Sequence, residues 1–303
     1  MKIDIVDWKL TGECPLRCLH CYGPPKTEKA LDLHPLTQVV GKFKDLGIEW
    51  AVLTGGEPLV VPFIIDVMHE LNNEGIKIAL STNTFFFRLF QESIEKYVSS
   101  LNIPLDGSTS EIHALSRRDE LTYNTFFDIL RYYKAYPKKK PELLRVSTVF
   151  SKVNKDDLIN IAKKLEEFDE VIDTWKICEL IDYEFQQKER KNILPRKGEF
   201  QMKVRELVER TSLTPKIMIS PVSHKNKAYF MVNSKGIVVT PTDVEGVTYE
   251  FPIGNILNDP LENIVEAWRS WVIFGDYIKN HEHYYKIFSH SKKSLEVYNY
   301  GIS

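Results

Sequence analysis

The strongest constraint on this chain is an alternation. Across the first 180 residues, short β-branched runs are separated by longer amphipathic ones. The strand-like runs are Ile3–Lys9, Trp50–Thr54, Ile76–Ser81, Val98–Leu105, Leu144–Phe150 and Val171–Leu180. Runs of helical spacing lie near Pro35–Leu46, Pro62–Asn73, Phe87–Tyr97, Tyr123–Tyr136 and Asp156–Phe168. Pro35 and Pro62 suit a first helical turn, and Asn154 or Lys155 suits a cap before an acidic one. Strands joined by helical crossovers pair in parallel and carry the helices on their outer face. The expected class is therefore α/β. Past Leu180 the pattern weakens. Residues 184–198 are polar and read as a surface or mobile segment, followed by a helix near 200–210. Ala228–Val232 and Gly236–Thr240 read as a β-hairpin, Pro260–Trp271 as a helix, and the chain from Asn280 as a Tyr-, His- and Lys-rich tail. The expected division is 1–182 for the repeating domain and 183–303 for a small α+β carboxyl-terminal extension.

Parallel sheets of this kind bind ligands in the loops leaving the carboxyl ends of their strands. Every unusual polar feature falls there. The first strand is followed by the run C-P-L-R-C-L-H-C, which holds Cys14, Cys18 and Cys21. The second is followed by Gly55, Gly56, Glu57 and Pro58, the third by Thr82 and Asn83, and the fourth by Asp106 and Gly107. Three soft thiolates on one short loop suit a metal or iron–sulfur centre. They are one short of the four that hold a structural zinc or an ordinary [4Fe–4S] cluster. Either the distant Cys178 completes the set or one position stays open. The close spacing resembles ligation more than disulfide stapling.

C-x3-C-x2-C followed by Tyr22, with G-G-E-P after the next strand, resembles the radical S-adenosylmethionine (SAM) superfamily. The motifs occupy the first 60 residues, and the order of elements matches to about residue 180. The resemblance implies a partial (β/α)6 TIM-type barrel. It implies a [4Fe–4S] cluster on Cys14, Cys18 and Cys21, with the open iron chelated by the amino and carboxylate groups of SAM. One electron then cleaves the sulfonium, and a 5′-deoxyadenosyl radical removes a substrate hydrogen. An electron donor such as flavodoxin or ferredoxin follows from this chemistry. Gly55 and Gly56 permit the backbone to approach the SAM amino group, Pro58 stiffens the turn, and Glu57 holds that turn or joins the amine environment. Tyr22 resembles the aromatic beside adenine. Ser81, Thr82 and Asn83 stand where the family's third strand faces the ribose, although the glycine usual after such a pair is Thr84 here. L-N-I-P-L-D-G resembles the family's S-L-D-G segment and puts Asn102 and Asp106 toward the cavity, with Pro104 able to shift that phase. Ser147 and Val149 share one face of the fifth strand, for the SAM carboxylate or ribose and for adenine.

His20 reads as a packing residue of the cysteine loop. The histidines near 281–290 read as part of a solvated tail, since they lack a close i, i+4 pair on a helix. On the sixth strand Lys176 and Cys178 share a face. If that face points inward, Cys178 is a hydrogen-atom donor to a substrate radical, as in peptide epimerisation, with space-filling as the plain alternative. Lys176 then binds a substrate carboxylate or phosphate, because a buried ammonium needs a partner or a polar cavity.

No second cysteine group follows Cys178, which points to a single-cluster member without an auxiliary-cluster extension. The expected substrate is a peptide or a small amino-acid-derived molecule, with the extension covering the open side of the barrel. A viperin-like dehydration of a nucleoside triphosphate is the alternative, with Lys176, Arg145 and Arg117 or Arg118 on the phosphates. From another class, a non-enzymatic iron–sulfur or zinc-binding scaffold remains. Forty Lys and Arg against forty-two Asp and Glu leave a net charge of −2, so a nucleic-acid duplex is an unlikely partner. No apolar run approaches the ~20 residues that cross a bilayer, and the charged start lacks a signal peptide's apolar core. A cytoplasmic location is expected.

Overall fold

A computed structural model describes residues 2–183 and 188–285. The six expected strands form as β1 (Ile5–Thr11), β2 (Trp50–Gly55), β3 (Lys77–Ser81), β4 (Val98–Pro104), β5 (Leu143–Phe150) and β6 (Thr174–Glu179). They pair side by side in chain order, all parallel. Between them run α1 (Leu33–Asp45), α2 (Ile64–Asn73), α3 (Phe87–Tyr97), α4 (Ser110–Arg117), α5 (Leu121–Ala135) and α6 (Leu158–Glu166). The short α4 was not expected from sequence. Pro62 falls outside α2, whereas Pro35 does lie in the first turn of α1. Asn154 is not a cap. Its side chain ties the loop after β5 together, donating to the carbonyls of Asp106 (3.1 Å) and Val149 (2.9 Å) and accepting from the Ser151 N–H (2.9 Å).

The remaining chain adds α7 (Glu199–Val208), β7 (Ile217–Ser220), β8 (Met231–Val232), β9 (Ile237–Val244), β10 (Val247–Asn255), α8 (Leu261–Trp271) and α9 (Phe274–Tyr285). Its strands extend the sheet at both edges, giving the order β10-β9-β8-β1-β2-β3-β4-β5-β6-β7. The unexpected β7 adds a seventh parallel strand beside β6. The expected hairpin forms as β8 and β9, but β9 also pairs with the longer β10. Glu245 and Gly246 both have positive φ (53° and 84°) in the connecting turn, as the tight turns that suit strand twist require.

Alternation along each strand separates two faces. Val6, Trp8, Leu10, Leu53, Leu80, Leu101, Ile103, Val146, Trp175 and Ile177 join the helices in the main core. The opposite face begins at the strands' amino ends with a small apolar layer of Ile5, Trp50, Val52 and Ala79. Toward the carboxyl ends it becomes polar, with Asp7, Lys9, Ser81, Asn102, Arg145, Ser147, Lys176 and Cys178. A parallel sheet plugged at one end and polar at the other presents its chemistry at the carboxyl ends.

Two expectations about the later chain change. Residues 184–187 lie outside the described part, but 188–193 form a 3-10 helix that buries Arg190 (1% exposed) and Ile193. His281 is also buried. Its Nε2 stands 3.3 Å from Asp7 Oδ2 and its Nδ1 2.8 Å from the Tyr277 carbonyl, while Tyr277 Oη accepts from the Ile5 N–H at 2.9 Å. The start of the expected solvated tail is therefore an anchor against β1. Residues beyond 285 lie outside the described part.

Candidate active site

The loop after β1 carries all three clustered cysteines. Cys18 is buried, and Cys14 and Cys21 are half-buried. A Cys21 N–H to Cys18 carbonyl bond of 3.2 Å closes the turn between them. The loop is set down against the G-G-E-P loop at close quarters. A Cβ at Gly56 would lie 2.2 Å from the Glu13 carbonyl oxygen, and one at Gly55, where φ is 128°, would lie 2.4 Å from that of Thr11. Both positions therefore demand glycine. The Gly56 N–H donates to the Thr11 carbonyl (2.6 Å) and the Glu57 N–H to that of Glu13 (2.9 Å). These amides are committed inside the protein, so a ligand amino group at this loop meets its carbonyls rather than its N–H groups.

Glu57 binds the second loop to the third. It is fully buried. Its Oε1 accepts from Thr82 Oγ1 (2.8 Å) and the Leu59 N–H (3.1 Å), and its Oε2 accepts from the Asn83 N–H (2.6 Å). Burial raises its pKa to about 7 against those hydrogen bonds. Asn83, thus fixed, donates from Nδ2 to Cys14 Sγ at 3.3 Å. The following Thr84 occupies the usual glycine's place and has φ +71°. That left-handed backbone is what a glycine would take without strain. Pro58 opens the short 3-10 turn Pro58–Val60.

Asp106 corrects an expectation. It lies past the end of β4, is fully buried, and has both oxygens engaged: Oδ2 accepts from Arg117 Nε (2.7 Å) and Oδ1 from the Val149 N–H (2.7 Å). Burial opposes its charge, but the Arg117 guanidinium outweighs that and holds the carboxyl below its ordinary range. Asp106 supports the site without facing it. Arg117, buried in that pair, is not available for phosphate, and the exposed Arg118 pairs with Glu189 (2.6 Å). The α4 helix reaches the cysteine loop from the same side, through a Leu19 N–H to Ser116 carbonyl bond of 2.8 Å. His20 packs there, 3.4 Å from Ser116 Oγ, and burial lowers its pKa to about 4, leaving a neutral ring.

The other expected site residues lie along the concave face. Asn102 links Ser81 Oγ (3.3 Å, donating) with Arg145 Nε (3.1 Å, accepting), across three adjacent strands. Ser147 and Val149 share the face with them, and Thr148 turns outward to the Leu105 carbonyl. Val149 stands beside Cys178, and Ser147 beside Lys176, in the β5–β6 register. Lys176 is half-buried, and loss of hydration lowers its pKa to about 8. Tyr22 is 46% exposed, with its ring 6.0 Å from that of Tyr183 and 5.4 Å from the Lys9 ammonium. Lys9 itself is buried against Glu250 of β10. Sequence reasoning missed Lys9, Arg190 and Tyr183. Arg190 donates to the Cys21 carbonyl (2.6 Å) and to that of Ile181, clamping the cysteine loop to the exit of β6. Only an inward lysine on β1 hinted at any of this.

The residues fit a three-thiolate cluster. The soft donors are free thiols, Asn83 already addresses one sulfur, and the neighbouring His20 is held away by its own contacts. Among the described residues no three Cys, His, Asp or Glu side chains converge on a single-ion site, whereas a cube ligated at three corners spreads its sulfurs apart. Burial pushes the Cys14 thiol up, and the Cys18 thiol to about 12, so ligation there must displace protons. A cleft lined by Lys2, Ile3 and Val265 lies at the strands' amino ends, away from this chemistry.

The radical SAM superfamily model matches residues 8–165, more than half the chain, from within β1 into α6. The chain belongs to the radical SAM superfamily. The expected partial-barrel fold agrees with that finding. The chain is 29% identical over 118 residues to the AdoMet-dependent heme synthase of Methanosarcina barkeri, covering 36% of this chain and 33% of that one. It is 30% identical over 175 residues to a GTP 3',8-cyclase of Clostridium perfringens, covering 54% and 53%. The matches thus span about a third to a half of these relatives. The fold is shared more widely. The structure of anSMEcpe with bound AdoMet superposes with a TM-score of 0.66 at 16% identity, covering 89% of this chain and 83% of that one. SuiB of Streptococcus suis bound to the precursor peptide SuiA gives 0.61 at 13%, covering 78% and 59%. Among the described residues no helix is long and apolar enough to cross a membrane.

Proposed function

We propose that this radical SAM enzyme removes a hydrogen atom from a peptide or small amino-acid-derived substrate held over the concave face of the sheet. The carrying observation is the convergence of Cys14, Glu57 and Asn83 from three strand ends on one spot. Cys14, Cys18 and Cys21 would hold a [4Fe–4S] cluster. When bound, that cluster and SAM supply the 5′-deoxyadenosyl radical by one-electron cleavage of the sulfonium. The carbonyls of the Gly55–Pro58 loop would receive the SAM amino group. Ser81, Asn102 and Ser147 offer hydroxyl and amide groups to the ribose and carboxylate, while Tyr22 and Val149 offer apolar surface to adenine. Asn83 would steady Cys14. Cys178, half-buried on the same face, would return a hydrogen atom to the substrate radical, leaving a thiyl radical that one electron from the external donor and one proton would restore to the thiol. Residues 183–303 would act as a substrate-covering unit, reaching the site through Glu250 on Lys9 and limiting access of water. A peptide is the class favoured by likeness of fold to anSMEcpe and SuiB, each known with a bound partner of that kind.

The test is anaerobic reconstitution with iron and sulfide, then SAM and dithionite. Formation of 5′-deoxyadenosine by the parent, abolished in Cys14→Ala, is the expected result. A full cluster with no SAM cleavage, substrate candidates included, overturns the reading.

A further inference from the structure

We propose that the concave face of β5–β7 is an oxyanion pocket for the substrate, built on Lys176 and on the hydroxyl of Ser220, which stands beside Cys178 on the neighbouring strand. The inference rests on the enzymatic reading above and gives its substrate an acidic group. Four charges on this face already have local partners. Lys9 is met by Glu250, Asp7 by His281, Lys225 by the Glu179 carbonyl (3.1 Å) and Arg145 by Asn102. Lys176 differs. Among the described residues its ammonium makes no ion pair or hydrogen bond, and the charged or titratable groups facing it are Cys178, Arg145, Lys225 and Asp7. Two of the four are cations, so the surroundings ask for a further anion.

Ser220 is an independent observation. It is 2% exposed, and among the described residues its Oγ has no hydrogen-bond partner. Ile217 and Ile219 of the same strand pack toward the helices, which turns Ser220 to the concave face. It pairs in register with Cys178, and Met218 pairs with Lys176. A buried hydroxyl without a partner is costly, and so is a partly buried ammonium without one. A carboxylate or phosphate oxygen between them satisfies both. It also brings the atoms next to that anion to the Cys178 thiol, where a radical centre would be quenched.

The test uses the reconstituted holoenzyme under anaerobic conditions, titrated calorimetrically with inorganic pyrophosphate and, separately, with glutarate. Saturable binding of one of them to the parent is expected, weakened about tenfold or more in Lys176→Gln. Lys176→Arg should stay within about threefold of the parent because it keeps the charge, Ser220→Ala should weaken binding severalfold, and the exposed Lys138→Gln should change nothing. Preference for pyrophosphate identifies a phosphorylated substrate, and preference for glutarate a carboxylate. Binding of neither anion, or equal binding by the parent and Lys176→Gln, overturns the pocket. SAM cleavage measured on the same samples separates the two readings. Cleavage without anion binding removes the pocket alone, and anion binding through Lys176 without cleavage leaves the pocket and removes the enzymatic reading.

Discussion

The side-chain amide of Asn83 donates to the sulfur of Cys14 at 3.3 Å. Hydrogen bonds to ligand sulfurs stabilise charge on a cluster and raise its reduction potential. Replacing Asn83 by Leu should therefore make the reconstituted cluster harder to reduce and slow SAM cleavage by about 10–100-fold. A potentiometric titration followed by electron paramagnetic resonance checks the first effect. An unchanged potential in a fully loaded variant would remove Asn83 from this role.

Glu57 is the hinge on which that geometry turns. Truncation to Ala leaves the Asn83 and Leu59 amides and the Thr82 hydroxyl without their acceptor in a buried place. The expected loss is about 2–4 kcal/mol of stability, read from denaturant unfolding of the apoprotein. A loss under about 0.5 kcal/mol, the range of ordinary surface changes, would mean the loops hold together by other means.

Thr84 carries strain that sequence comparison with the family's glycine already hints at. Its φ is +71°, and its Oγ1 is buried without a partner among the described residues. Thr84→Gly relieves both at the expense of a freer unfolded chain. The net gain expected is about 1 kcal/mol, or about 2 °C in melting temperature. Thr84→Val, which removes the hydroxyl but keeps the backbone strain, should gain less than Thr84→Gly.

Lys176 gives a pH signature. Burial holds its folded pKa at about 8, below the ordinary 10.5, so between those values the unfolded chain binds more protons. Stability from this group rises as pH climbs through that window, and its full penalty, at most about 3 kcal/mol, applies below about pH 8. Lys176→Met should be more stable than the parent at pH 7, and the two should converge toward pH 10.5. Parallel unfolding curves at all pH values would show that the ammonium is as well solvated folded as unfolded.

Cys178→Ala should leave SAM cleavage intact while abolishing deuterium uptake from solvent at a turned-over centre. Mass spectrometry of the product in deuterated water reads this directly. A variant that labels product like the parent excludes the thiol as donor.

Much of the site was legible because its residues are local. A C-x3-C-x2-C loop brings its own thiols together by chain connectivity, and the G-G-E-P turn carries its own backbone requirement. Alternation along a strand likewise put Ser147 with Val149 and Lys176 with Cys178 on shared faces, as observed. Asp106 escaped that logic because β4 ends at Pro104. Beyond a strand's end side-chain phase is set by the loop, and the loop turned Asp106 to Arg117. Arg190 escaped it because charge and surrounding polarity suggest a surface, whereas two backbone carbonyls left without partners can bury a guanidinium.

The sequence by itself determined the six parallel strands with their crossover helices and the thiolate loop that follows the first of them, since each depends on periodicity or on neighbours in the chain. Only the tertiary structure decided which groups have their partners used up. Gly56 and Arg117 were spent internally, Lys9 was matched by a glutamate from β10, and Lys176 and Ser220 were left without partners among the described residues. Hydrogen bonds and ion pairs between distant segments saturate, and that saturation is invisible until the segments meet.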